Sequence, residues 1–159
     1  MTLNSNSILL RSAGIILRSA GIISLLIALF QAIISFSSEW SLYFGAPLEL
    51  TNNPILLIVS GLLVSIIFIV FGLYALSGTG DMRPLPFLRS GLIIIGGIYT
   101  LRGFIIILEL LVFFNVININ DKVTLVSIMS SFVSLLIGII YLIGTFKNWS
   151  GLTQLAITN

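Results

Sequence analysis

The sequence predicts an all-α integral membrane protein, a four-transmembrane-helix bundle. Composition carries this first: 58% of the 159 residues are hydrophobic and only 8% are charged, with a mean hydropathy of +1.22. A soluble domain of this length cannot hide so much apolar surface from water. Spacing carries it second, because the apolar residues fall into four runs, each close to the roughly 20 residues that one crossing needs. The expected spans are 19–38, 54–76, 86–112 and 121–146, in a single membrane domain covering 1–159.

The N-terminal MTLNSNS reads as a polar lead-in, with Asn6 or Ser7 as helix cap. Leu10–Ile16 and Leu17–Ile23 are identical, LRSAGII, so Arg11 and Arg18 lie on nearly one helix face. That places a basic pair beside lipid headgroups, or simply a helix lengthened by duplication. Because Arg18 interrupts the apolar start and the next apolar run continues to Phe36, this reads as a retained first span and not as a cleaved leader. Within it Ala20, Ser24, Ala28 and Ala32 recur at every fourth residue, an edge on which another helix can pack closely. Gln31 lies on the thin, polar side with Ser24, Ala28 and Ser35.

The first loop, 39–53, carries Glu39 and Glu49 and no basic residue, with Trp40, Tyr43 and Phe44 as an interfacial belt. Asn53 as cap and Pro54 at the first helical position open the second span, and Ser77-Gly78 closes it. The short second loop, SGTGDMRPLP, forces a tight reversal. Its Ser77, Gly78, Thr79 and Gly80, with Arg83 and Arg89, form a weak candidate for an anion or lipid headgroup, without a P-loop's lysine or spacing. The third span begins at Pro84 or Pro86 and reaches as far as Asn115. The fourth starts from an Asn120/Asp121 cap, carries Ser130, Ser134 and Gly138 as a second close-packing edge, and ends at Gly151.

Arg11, Arg18, Arg83, Arg89 and Lys147 fall on one side of this topology, and Lys122 alone on the other. The positive-inside rule therefore puts both termini in the cytoplasm. A repeat also emerges: Leu17-Arg18-Ser19 superposes on Leu88-Arg89-Ser90 for about twenty residues, placing Gln31 opposite Arg102, and Tyr74 and Tyr141 close both hairpins. Two pseudo-repeated hairpins of the same orientation are related by an axis along the membrane normal. The pattern Tyr74-x-x-Ser77-Gly78-x-Gly80, Leu85-Pro86-x-Leu88-Arg89 and Tyr99-x-Leu101-Arg102-Gly103 resembles small, uncharacterised four-span bacterial membrane proteins. It covers about thirty residues. The resemblance implies a bacterial inner-membrane location and no activity.

With no Cys and no His, disulfides, thiol chemistry, His-ligated metals and the usual hydrolase base are all excluded. No cofactor, metal or nucleic-acid partner is expected. Charge inside a span is the remaining signal. Arg102 and Glu109 are seven residues apart and nearly in line, about 10.5 Å along one helix, and Tyr99 lies one turn below. An intramembrane arginine costs several kcal/mol unless it is paired or hydrated, so a polar seam of Arg102, Glu109, Gln31 and Tyr99 is expected between the first and third spans. Two functions follow. In one the protein is a structural or accessory subunit of a membrane complex or homo-oligomer, surrounded by membrane lipids. In the other the seam binds or transports a lipid or anion. Enzymatic chemistry ranks third, since no nucleophile and base pair can be assembled from these residues.

Overall fold

The computed structural model describes residues 2–114, 116 and 124–157, with side-chain surroundings for 12–114, 116 and 124–153. Among these the chain is helical and contains no strand. α1 runs Thr2–Ile34, α2 Ser38–Tyr43, α3 Leu48–Thr51, α4 Pro54–Gly78, α5 Leu88–Phe113, α6 Leu125–Lys147 and α7 Trp149–Ile157. Four stretches are long and apolar enough to cross a membrane: Ser12–Ile34, Pro54–Gly78, Leu88–Phe113 and Leu125–Lys147. The molecule is thus a multi-pass membrane bundle, and its unusually exposed leucines, isoleucines and phenylalanines form the lipid-facing surface.

Several ends differ from expectation. α1 passes through Asn6 and Ser7 without stopping and closes at Ile34, where Phe36 and Ser37 take turn hydrogen bonds and Ser37 caps α2. α4 matches its signals, with the Asn53 side chain accepting from Leu56 N. α5 begins at Leu88 and not at Pro84 or Pro86, because Phe87 adopts a left-handed backbone, φ 53°, that no helix can continue through. α6 opens on Thr124, whose hydroxyl accepts from Ser127 N. The expected Asn120/Asp121 cap, Lys122 and Asn115 lie outside the described residues. At its far end α6 stops at Lys147, and the chain resumes at once as α7 through Gly151.

The spans pack as two hairpins, α1 against α4 and α5 against α6, joined chiefly where α1 meets α6. Lipid competes equally for apolar side chains, so close backbone approach is what favours helix over lipid. Gly21 and Gly72 supply it in the first hairpin: a Cβ on Gly72 would lie 3.0 Å from the Gly21 carbonyl oxygen. In the second hairpin a Cβ on Gly138 would lie 2.6 Å from Thr100 N, and one on Gly103 2.5 Å from Leu135 Cα. The expected small edge of α1 is used the same way, with Ala20, Ser24 and Ala28 all buried and Ser65 Oγ donating to the Ala28 carbonyl at 2.7 Å.

The two ends of the bundle differ. At the end carrying Arg18, Arg83, Arg89 and Lys147, the second loop is sewn to α4. Ser77 Oγ donates to the Arg83 carbonyl and accepts from Leu85 N, and Tyr74 donates to the Pro86 carbonyl across the gap left by Gly91. α7 closes this end, with Leu152 buried and Asn148 donating to the Gly78 carbonyl at 3.0 Å. At the opposite end the Glu39/Glu49 loop folds into α2 and α3, where Trp40, Tyr43 and Phe44 are exposed and Phe44 is in ring contact with both of the others.

The glycine contacts give a direct test. Gly138→Ala should destabilise the protein by about 1–3 kcal/mol through overpacking against Thr100. Gly97→Ala should be neutral or stabilising by up to about 1 kcal/mol, since nothing lies within 4 Å of its Cβ position and alanine is the better helix former. Thermal unfolding in mild detergent compares the two.

Candidate functional site

At the centre of the bundle each of the four spans contributes one oxygen to a single chain of hydrogen bonds. Tyr141 Oη on α6 lies 2.9 Å from Ser24 Oγ on α1 and donates to the Phe71 carbonyl on α4, also at 2.9 Å. Tyr99 Oη on α5 lies 3.2 Å from the same Ser24 Oγ. A phenol has one proton, and Tyr141 spends its own on Phe71, so the direction is fixed: Tyr99 donates to Ser24, Ser24 to Tyr141, and Tyr141 to the carbonyl. Aromatic packing surrounds the chain. Tyr99 stacks on Tyr141 at 5.7 Å and on Phe68 at 5.9 Å, and Phe71 meets it edge-on.

The expected seam is therefore divided. Arg102 and Glu109 do come together, at 3.9 Å between guanidinium and carboxylate. The hydrogen bonds of Arg102 go to α6 and not to α1: Nη1 donates to Ser131 Oγ at 2.9 Å and Nη2 to Ser130 Oγ at 3.4 Å. Those serines lie along α6 with Ser127 and Ser134 on one side of the helix. Ser130 passes its own proton to the Ser127 carbonyl, leaving its lone pairs for the arginine. Tyr99 is absorbed in the central chain, one turn deeper. Gln31 faces the other way, into a cleft of about 260 Å³ beneath α2 and α3, lined also by Ser35, Ser41, Pro47 and Gly61. The error has one physical source. The wheel positions of Gln31 and Arg102 were equivalent, but each faces the partner helix of its own hairpin, so equivalence in the repeat keeps them apart.

The loop expected to receive an anion is occupied by its own chain. Ser77 and Gly78 are buried. Thr79 Oγ1 donates to Asp81 Oδ2 at 2.7 Å, and Arg18 holds both oxygens of Asp81, its Nε at 2.8 Å. Arg89 turns to Trp149, lying 4.6 Å from the ring centre and donating to its carbonyl. Gly80 takes a positive φ to make the turn, and Arg83 stays exposed. The two arginines aligned in the repeat, Arg18 and Arg89, each reach the segment that follows their own hairpin.

Sequence reasoning missed several participants, Ser131 among them. Ser24 was placed on the polar face of the first span but not in the central chain, and Tyr141 was noted only as a repeated residue, although a tyrosine hydroxyl inside a span always needs a partner. Phe87 had no signal beyond its place after a proline. Among the described residues no group of three or more acidic, His or Cys side chains gathers to hold a metal. Comparison with protein-family models, curated proteins and solved structures returned no match.

Removing the central hydroxyls tests the direction of the chain. Tyr141→Phe leaves Ser24 and the Phe71 carbonyl without their partner and should cost about 1–3 kcal/mol. Tyr99→Phe removes only the first donor and should cost less, about 0.5–1.5 kcal/mol; unfolding in detergent ranks them. Asp81 supplies a pH test. The hydrogen bond from Arg18, then that from Thr79, holds its carboxyl below its ordinary value of 3.8. A depressed folded value means a contribution fully present above that ordinary value and lost as the pH falls through the lower one. The difference in unfolding midpoint between wild type and Asp81→Asn should stay constant from neutral pH downward and close only on the acid side.

Proposed function

We propose that this protein is a structural or accessory subunit of a larger membrane assembly, either a complex or a homo-oligomer. Its location is a bacterial inner membrane, with the basic end in the cytoplasm. The interior supports a scaffold role, since its hydroxyls join helix to helix and the buried Glu109 sits beside an arginine that bonds across the α5/α6 hairpin.

The observation that carries the reading is Phe87. A phenylalanine at φ 53°, ψ 33° is strained by about 1–2 kcal/mol, and this one is 86% exposed. The strain has a cause in the loop. Pro84 and Pro86 hold the chain extended, and Ser77 and Tyr74 tie that stretch to α4. The reversal into α5 must then occur at one residue. Glycine or asparagine adopts this backbone readily; a bulky ring held outward in its place makes sense as a contact for another protein. Beside it the loop forms a hollow of about 390 Å³ lined by Pro84, Leu85 and Arg89, into which a partner's side chain fits.

Stability and assembly should therefore move in opposite directions. Phe87→Gly should stabilise the isolated bundle by about 1 kcal/mol while abolishing association. A photo-crosslinking residue at position 87 should join the chain to a protein, whether a second copy or another subunit. Crosslinks to lipid alone, or an assembly unchanged by Phe87→Gly, would overturn the proposal.

A further inference from the structure

The outer half of α5 carries a second tension. Arg102 enters the bundle about 16 Å from the Phe113 end of its helix, and Glu109 about 6 Å from it. The guanidinium leans toward that end, since it lies between Glu109 and the serines of α6. Its neutralisation is incomplete. A guanidinium has five N–H donors; two go to Ser131 and Ser130, and the carboxylate at 3.9 Å is beyond hydrogen-bond distance. Glu109 is only 9% exposed and its Oε2 has no hydrogen-bond partner, so the acid is turned inward. The arginine side chain is 46% exposed in the depth of a membrane, where leaving it against hydrocarbon costs several kcal/mol.

On the lipid-facing surface runs a groove of about 450 Å³ lined by Ile98, Leu101, Arg102, Phe104, Ile105 and Leu108. From Ile98 to Leu108 is about 15 Å of helix, half of a hydrocarbon core about 30 Å thick and so the length of one leaflet's tail. The groove descends from the guanidinium toward the middle of the membrane, the direction a lipid's tail takes from its headgroup.

We infer that Arg102, Ser130 and Ser131 form the headgroup site of one bound phospholipid. The phosphodiester accepts from the free guanidinium donors, and one acyl chain lies along Ile98, Leu101 and Ile105. The ligand is a phosphodiester amphiphile because the head must bring acceptors to a planar donor fork and the tail must run along an apolar groove inside the hydrocarbon layer. Ser130 and Ser131 hold the guanidinium in place, whereas Glu109, 3.9 Å away, opposes the anion, which makes it the discriminating residue. The site is about 22 Å along the helix from Phe87 and does not depend on assembly.

The test is native mass spectrometry of the whole protein, stripped of lipid and then offered three probes: phosphatidylglycerol, diacylglycerol and inorganic phosphate. One phosphatidylglycerol should be retained per chain, and neither other probe. Arg102→Gln should lower retention by about tenfold or more. Ile105→Trp, which plugs the groove at an exposed position, should lower it with the fold intact. Glu109→Gln should raise it, since the competing charge is gone. Equal binding of diacylglycerol would overturn the headgroup site, and retention of inorganic phosphate would assign the site to a free anion. If Glu109→Gln loses lipid, or Ile105→Trp keeps it in full, the proposal fails; both variants retain Arg102 and so decide the matter even if Arg102→Gln does not fold.

Discussion

A four-helix bundle in lipid gains little from burying leucine against leucine, since the tails outside are as apolar as the core. Its cohesion rests on what lipid cannot offer, and the chain of hydroxyls through Tyr99, Ser24, Tyr141 and the Phe71 carbonyl is the clearest instance. Each link crosses from one span to another. None of these groups finds a partner in hydrocarbon, so separating any span from the others strands at least one of them. Around this point the hairpins draw together, and the glycine contacts at Gly21/Gly72 and Gly138/Thr100 set how near the backbones come.

The same logic grades the molecule from end to end. Toward the basic end hydrogen bonds accumulate: Asn148 to Gly78, Ser77 to the second loop, Arg18 to Asp81, Arg89 to Trp149. The loop is fixed there by its own side chains, which is why Ser77 and Thr79, which resemble an anion cradle in the sequence, are spent on the loop itself. Toward the Glu39/Glu49 end the hairpins share fewer such ties. The half-buried Gln31 and the half-exposed Arg102 both occur in this part, each beside an open space.

Two residues break local rules, one at the start of α5 and one within it. Phe87 takes a backbone suited to glycine, and Arg102 takes a position suited to leucine. The first is forced by a loop tied down on both sides. The second is made tolerable by a serine pair on the neighbouring helix and a carboxylate on its own. In each case the bundle supports part of the group and leaves the rest facing outward, where an interaction with something else completes it.

The sequence by itself determined the all-α class, the four apolar segments, the Asn53-Pro54 start, and the distinction between a basic and an acidic end, because each depends on composition or on neighbours within one or two turns. It also placed Arg102 near Glu109, since seven residues on a helix is a local distance. Only the tertiary structure decided which helices face each other. Low-complexity runs of isoleucine and leucine carry almost no record of rotation about the helix axis, and the pairing of α5 with α6 is what moved Arg102 away from Gln31 and gave it Ser130 and Ser131. The left-handed turn at Phe87 was equally hidden, because it follows from Ser77 and Tyr74 reaching across space to hold the loop, a constraint with no signature at residue 87 itself.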